Sequence, residues 1–243
     1  MEQVWRYATG ADLTDGVAER LMQGLVERQR KSKDGVVHLC LTGGWIANRI
    51  YDAFTELVDD SELEPARIEL WWGDERFVPT EDPDRHAGHT LSILARKFPV
   101  GSSRTHAMPA ADGIADAAAS AATYARELGD TVFDICLLGM GVDGHVASIF
   151  PDHRSFVEST HTVVGVNDAP KAPSARISLT VPTLNRSREV WFLVSGDDKA
   201  AAVARSRAAD PTMPAGVVRG TEKTLWLLDR AAASGLPYHE CSF

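Results

Sequence analysis

The sequence predicts an α/β protein with a central, mostly parallel sheet flanked by helices. Three observations carry this. Short, nearly continuous apolar runs recur along the chain, segments with helical periodicity alternate with them, and no repeat or low-complexity linker interrupts the alternation. Strands covered on both faces by helices are apolar at successive positions rather than at alternate ones.

Taken in order, Leu13, Val17, Leu21 and Leu25 place one apolar stripe on a helix over 12–30. The basic stretch "ERQRKSK" falls at the end of that helix, where cations suit the helix dipole. "VVHLCL" (36–41) predicts a buried strand, and "WIANRIYDAF" after it opens a helix. "RIELWW" (67–72), "FDICLLG" (133–139), "EVWFLVS" (189–195) and "TLWLLD" (224–229) predict four more strands. The alanine-rich stretch 110–128 and "DDKAAAVARSRAA" (197–209) predict helices. "NDAPKAPSAR" (167–176) is the most proline-rich loop; it joins ordered segments and reads as a site loop rather than a boundary. One α/β domain over 1–243 follows.

Composition narrows the function. The chain is 44% hydrophobic and 24% charged, with a net charge of −9. An acidic chain without a basic face argues against a nucleic-acid partner. No apolar run is long enough to span a bilayer, and the first ten residues lack a signal-peptide plan, so no membrane role is expected. Cys40 and Cys136 sit inside strand-like runs, and Cys241 lies near the chain end. Their spacing suits neither a metal nor a disulfide framework, which points to a reduced, cytoplasmic protein.

In open α/β sheets ligands bind beyond the carboxyl ends of the strands. After the first central strand come Thr42, Gly43 and Gly44. This is either a plain tight turn or an anion-binding turn at a helix N-terminus. After the second come Asp74, Glu75 and Arg76, read either as a surface ion-pair cluster or as an anion-binding arginine oriented by an acid. After the third come Gly139, Gly141, Asp143, Gly144 and His145, and backbone N–H groups near Gly43–Gly44 or Gly141–Gly144 are the alternative candidates to meet a substrate and stabilise a developing oxyanion. A histidine directly after a strand-end glycine turn reads as a general base more readily than as core filling. After the fourth, Lys199 offers a point charge. No G-x-S-x-G elbow is present. The simplest chemistry is a histidine activating water against a carbonyl or phosphoryl centre of a small anion.

Five blocks carry a family resemblance: "LTGG" (41–44), "WGDERFVP" with "DPDR" (72–85), "LLGMGVDGHVASIFP" (137–151), the stretch 176–203, and "TLWLLDRAAASGLP" (224–237). Together they resemble the 6-phosphogluconolactonase family. The resemblance implies a NagB/RpiA/CoA-transferase-like fold and hydrolysis of 6-phospho-D-glucono-1,5-lactone without metal or organic cofactor. It implies His145 as the catalytic histidine and Arg76, Arg176 and Lys199 as positive groups lining the site. Asp143 either orients the imidazole or caps its turn. Two positions depart from the family pattern: Trp45 replaces a serine in the glycine turn, and His86 replaces an asparagine, each changing what the loop offers a substrate. The sister deaminases continue the histidine block with Ile-Ala-Phe-Asn-Glu-Pro, where this chain has "VASIFP". A non-catalytic sugar-phosphate sensor on this fold would carry an added DNA-binding segment, which is not expected here because the α/β pattern starts within the first few dozen residues and the chain is acidic. The expected partner is a small sugar-phosphate lactone, with the chain a monomer or weak homodimer.

Overall fold

The computed structural model describes residues 1–99 and 102–237; Cys241 lies outside them. In chain order the elements are β1 (Glu2–Tyr7), α1 (Gly10–Lys31), β2 (Val37–Leu41), α2 (Trp45–Glu56), β3 (Ile68–Trp72), β4 (Asp74–Arg76), α3 (His86–Leu94), β5 (Thr105–His106) and α4 (Ala117–Leu128). There follow β6 (Ile135–Gly139), α5 (Arg154–Val157), β7 (Val163–Val166), β8 (Arg176–Leu179), α6 (Val181–Leu184), β9 (Glu189–Val194), α7 (Ala200–Arg207), α8 (Pro214–Val217) and β10 (Lys223–Asp229).

Seven strands form one sheet in the order β1-β10-β9-β6-β2-β3-β5, and every neighbouring pair is parallel. The continuous apolar runs have a direct cause. Leu39, Leu137, Trp191 and Leu227 point to one face, against Leu21 of α1 and Ile50 and Phe54 of α2. Their neighbours Cys40, Cys136, Phe192 and Trp226 point to the other, against Tyr124 and Leu128 of α4 and Val203 of α7. Two cores therefore share the same strands.

The structure adds what the sequence pattern omitted. β1 pairs with β10 at the sheet edge, where its exposure breaks the apolar run. A separate three-stranded antiparallel sheet, β4-β8-β7, stands beyond the carboxyl ends of the main sheet. The helix expected from 110 begins only at Ala117, because the Asp116 side chain accepts from Ala119 N–H and caps it there. Residues before it are tied elsewhere: Ala111 N–H donates to Val78 O, and Asp112 accepts from the Thr80 hydroxyl. The segment expected as a helix from 197 opens with a single 3₁₀ turn, Asp197–Lys199, before α7.

Two buried tyrosines finish the strand ends that face the crevice. The Tyr51 hydroxyl accepts from Thr42 N–H at 3.0 Å and donates to Thr42 O at 2.9 Å. The Tyr124 hydroxyl does the same for Trp72, at 3.0 and 3.2 Å. Each closes a backbone pair where the sheet ladder ends. Tyr51→Phe leaves both Thr42 groups buried and unpaired, and is expected to lower unfolding free energy by about 1–3 kcal/mol. Urea unfolding should show this as a lower midpoint at unchanged slope.

Candidate active site

β2 leads outward to β3 and β5, whereas β6 leads the other way to β9 and β10. The strand order thus reverses between β2 and β6, and their following loops part to leave a crevice. A cavity of about 380 Å³ lies there. The β2 loop supplies Thr42, Gly43 and Gly44; the β6 loop supplies Gly139, Gly141 and His145; the small sheet supplies Asp74, Arg76 and Arg176; His86 and Lys199 complete the wall. The Thr42 hydroxyl accepts from Gly139 N–H at 3.3 Å, joining the two loops at the point of reversal.

His145 is held from two sides. Its Nδ1 lies 2.5 Å from Asp143 Oδ1, and its ring packs 4.7 Å from the Phe150 ring. Burial pushes the Asp143 carboxyl up, but the hydrogen bond and charge of His145, with Lys171 at 3.7 Å, outweigh it and hold the group well below the usual carboxylate range. An ionised Asp143 accepts a hydrogen bond from Nδ1–H, which keeps the proton on Nδ1 and leaves Nε2 as the ring's free nitrogen. Asp143 itself does not line the cavity; it touches the imidazole that does.

The anion-binding character is clearest in the small sheet. Arg76 and Arg176 are direct cross-strand partners on β4 and β8. Like charges opposite each other oppose pairing, so this register favours an anion between or above them. Burial, and then the neighbouring Arg76 charge, lower the Arg176 guanidinium from its ordinary value. Arg176 also holds the backbone together. Its Nε donates to Pro173 O at 2.9 Å and an Nη to Lys171 O at 2.9 Å, fastening the 167–175 loop. Arg76 Nε is buried without a hydrogen-bond partner among the described residues. Lys199 is paired to Asp198 at 3.0 Å.

Neither Asp74 nor Glu75 orients the Arg76 guanidinium in the way the sequence suggests. Asp74 accepts from the Ser148 hydroxyl at 2.7 Å, locking the small sheet to the segment after His145. Glu75, fully buried, accepts from three backbone N–H groups: Arg76 at 2.8 Å, His86 at 2.8 Å and Ala87 at 2.7 Å. Its charge therefore sits at the start of α3, where backbone donors and the helix dipole favour an anion. This carboxylate fixes the backbone of both Arg76 and His86; the sequence offers Glu75 only as an acid orienting the guanidinium, because backbone partners leave no mark in it. His86 in turn packs over Gly43, where a Cβ would approach its Cγ to 2.1 Å.

Two glycines play different parts from those expected. Gly144 lies outside the cavity wall, at φ +81°, where an added Cβ would meet Met213 Cε at 2.2 Å. Gly141 lines the cavity, but its N–H donates to His145 O at 2.9 Å, and Gly144 N–H donates to Gly141 O at 3.0 Å. Those two donors are spent on the turn. By contrast α2 begins after Gly44, at φ +107°, with no side-chain cap on its first donors. Cys40 and Cys136 take no part: they are register partners in the core, and burial pushes the Cys40 thiol well above its ordinary range. Among the described residues no group of three or more His, Cys, Asp or Glu side chains is placed to hold a metal ion, and no helix is long and apolar enough to cross a membrane.

A doubly wound parallel sheet with a basic, histidine-bearing crevice at its switch point defines a class of enzyme sites for small anions. The family described as "Glucosamine-6-phosphate isomerases/6-phosphogluconolactonase" matches residues 8–226, and the chain belongs to that family. The 6-phosphogluconolactonase of Streptomyces coelicolor is 42% identical over 239 residues, 93% of this chain and 91% of that protein. That of Mycobacterium tuberculosis is 45% identical over 188 residues, 72% of this chain and 76% of that protein. The solved 6-phosphogluconolactonase of Thermotoga maritima superposes with a TM-score of 0.82 at 27% identity, covering 94% of this chain and all of that one. A monomeric glucosamine-6-phosphate deaminase shares the fold, with a TM-score of 0.79 at 23% identity over 96% of this chain and 100% of that chain.

Glu75→Gln turns one acceptor into a donor facing backbone N–H groups. The expected cost is about 1–3 kcal/mol of stability. Because α3 and Arg76 lose their shared anchor, KM should also rise; denaturation and steady-state kinetics on the same preparation check both.

Proposed function

We propose that this crevice hydrolyses 6-phospho-D-glucono-1,5-lactone to 6-phospho-D-gluconate, with His145 as general base. The relative matched over nine-tenths of the chain carries that activity by name, and the chain is a lactone hydrolase of the same kind. The observation that carries the mechanism is the Asp143–His145 pair at the mouth of β6 beside two facing arginines.

In this reading Arg76, with Lys199 and the remaining capacity of Arg176, receives the phosphate. Net charge is −9, so a dianion needs such a local reversal of field. Nε2 of His145 accepts a proton from water as its oxygen bonds to the lactone carbonyl carbon. The carbonyl oxygen gains charge and is met by N–H groups at the open start of α2, around Gly43 and Gly44. The tetrahedral centre collapses, the ring C–O bond breaks, and the imidazolium returns its proton to the leaving ring oxygen. Asp143 keeps the imidazole in the tautomer that makes Nε2 the base and steadies the imidazolium.

Assay with fresh lactone, coupled to 6-phosphogluconate oxidation, tests the reading. His145→Ala is expected to lower kcat by about 10²–10⁴-fold with KM little changed. A variant with wild-type kcat removes the base assignment. Arg76→Ala should raise KM for the phosphorylated lactone by about 10–100-fold and have a much smaller effect on unphosphorylated gluconolactone. Equal losses on both would place the phosphate elsewhere.

The pH profile follows from the same pair. Asp143 is held low, so it stays ionised through mild acid and adds no limb there. A base that must be neutral loses activity once it is protonated, so the rate falls on the acid side. The expected kcat/KM profile on unphosphorylated lactone, background subtracted, is one acidic limb. Activity that stays flat to about pH 4.5 would exclude a histidine base.

A further inference from the structure

Among the described residues, Trp45 is the one large aromatic side chain of the cavity wall that the mechanism leaves unused. It is 67% exposed, whereas Trp71, Trp72, Trp191 and Trp226 are buried. Core packing does not account for it. The buried face of α2 is made by Ala47, Ile50, Tyr51 and Phe54. At about 100° per residue, Trp45 points to the opposite side of the helix from that stripe. It also follows Gly44 directly, so it flanks the uncapped donors assigned to the lactone carbonyl.

The indole stands between two cavities. One is the reaction cavity; the other, of about 410 Å³, is lined by Thr14, Asp15, Asn48, Arg49 and Asp52. Arg49, one turn along α2, holds its guanidinium 5.1 Å from the indole centroid. A cation over the ring restrains the side chain and occupies one face. The guanidinium does not bury the side chain, which stays 67% exposed and lines the reaction cavity as well.

A sugar lactone carries its hydroxyls around the rim and C–H bonds on its ring faces. An aromatic face is electronegative and suits those C–H groups. We propose that Trp45 is a platform for the ring of the lactone, setting affinity for the ring itself rather than for the phosphate or the chemistry. The proposal rests on the crevice being the lactone site. It separates two kinds of recognition within that site: the arginines read the anion and the indole reads the ring.

Kinetics of Trp45→Ala and Trp45→Phe on both the phosphorylated and unphosphorylated lactones provide the test, together with acrylamide quenching of tryptophan fluorescence with and without 6-phosphogluconate. Trp45→Ala should raise KM about three- to tenfold on both lactones alike, with kcat within about twofold, and Trp45→Phe should restore most of the loss. The product should shield a quenchable emission component that is present in the parent protein and missing from Trp45→Phe. Unchanged KM in Trp45→Ala, or no shielding by product, overturns the platform. A KM loss confined to the phosphorylated lactone also overturns it, because the indole would then act on the phosphate. If His145→Ala and Arg76→Ala are silent as well, the crevice itself is the wrong site; if they act and Trp45→Ala does not, only the platform falls.

Discussion

The constraint on which everything else rests is the reversal of strand order between β2 and β6. All seven strands run the same way, so every connection must cross over the sheet, and crossovers from β2 and β6 leave in opposite directions. Neither of these two crossovers covers the gap between them. Thr42 bridges it with one hydroxyl, Tyr51 and Tyr124 close the adjacent backbone groups, and the remaining space is the site. The reactive residues occupy this spot because the topology leaves it open, and their residue types then decide what happens there.

The second sheet brings positive charge to the gap. Its three strands stand over the crevice and bring two arginines into register. Such a pairing is unfavourable by itself, and buried carboxylates hold the surroundings in place. Glu75 gathers three N–H groups at the start of α3, and Asp74 ties β4 to Ser148. Asp229 repeats the device on the far wall, where it accepts from the Ser195 hydroxyl at 2.5 Å and from Ala232 N–H at 2.7 Å. Glu75 and Asp229 therefore spend their oxygens mainly on backbone N–H groups rather than on the cations of the cavity wall.

The five central strands were legible because both of their faces are covered, which makes their sequence apolar without interruption. β1 was not, since Val4 is buried while Glu2 is exposed on an edge strand. β4 has three residues and β8 four, too short to show any period, and their pairing joins distant parts of the chain. In the site, His145 could be read from its glycine turn and Arg76 from its place after a strand. Glu75 could not be given its role, because sequence does not show which backbone groups will converge on a carboxylate. Gly144 read as a ligand-side glycine, but its cause is the Met213 side chain packed against it, from a segment far along the chain. Arg176 read as a free cation, whereas most of its donors fasten a loop.

The pairing of β1 with β10 sets an order on assembly. Glu2 lies opposite Thr224 and Tyr7 opposite Asp229, so the strand of this sheet that the ribosome makes before the others waits for the one made after them. Until then β1 has no ladder partner, and β9 presents an open edge of buried-type residues from Val190 to Val194. Folding during synthesis can complete the core around β2, β3 and β6, but the sheet is sealed only once β10 has emerged, across a contact of very high sequence separation. A nascent chain stalled before β10 would expose an adhesive strand edge, and the finished protein conceals it.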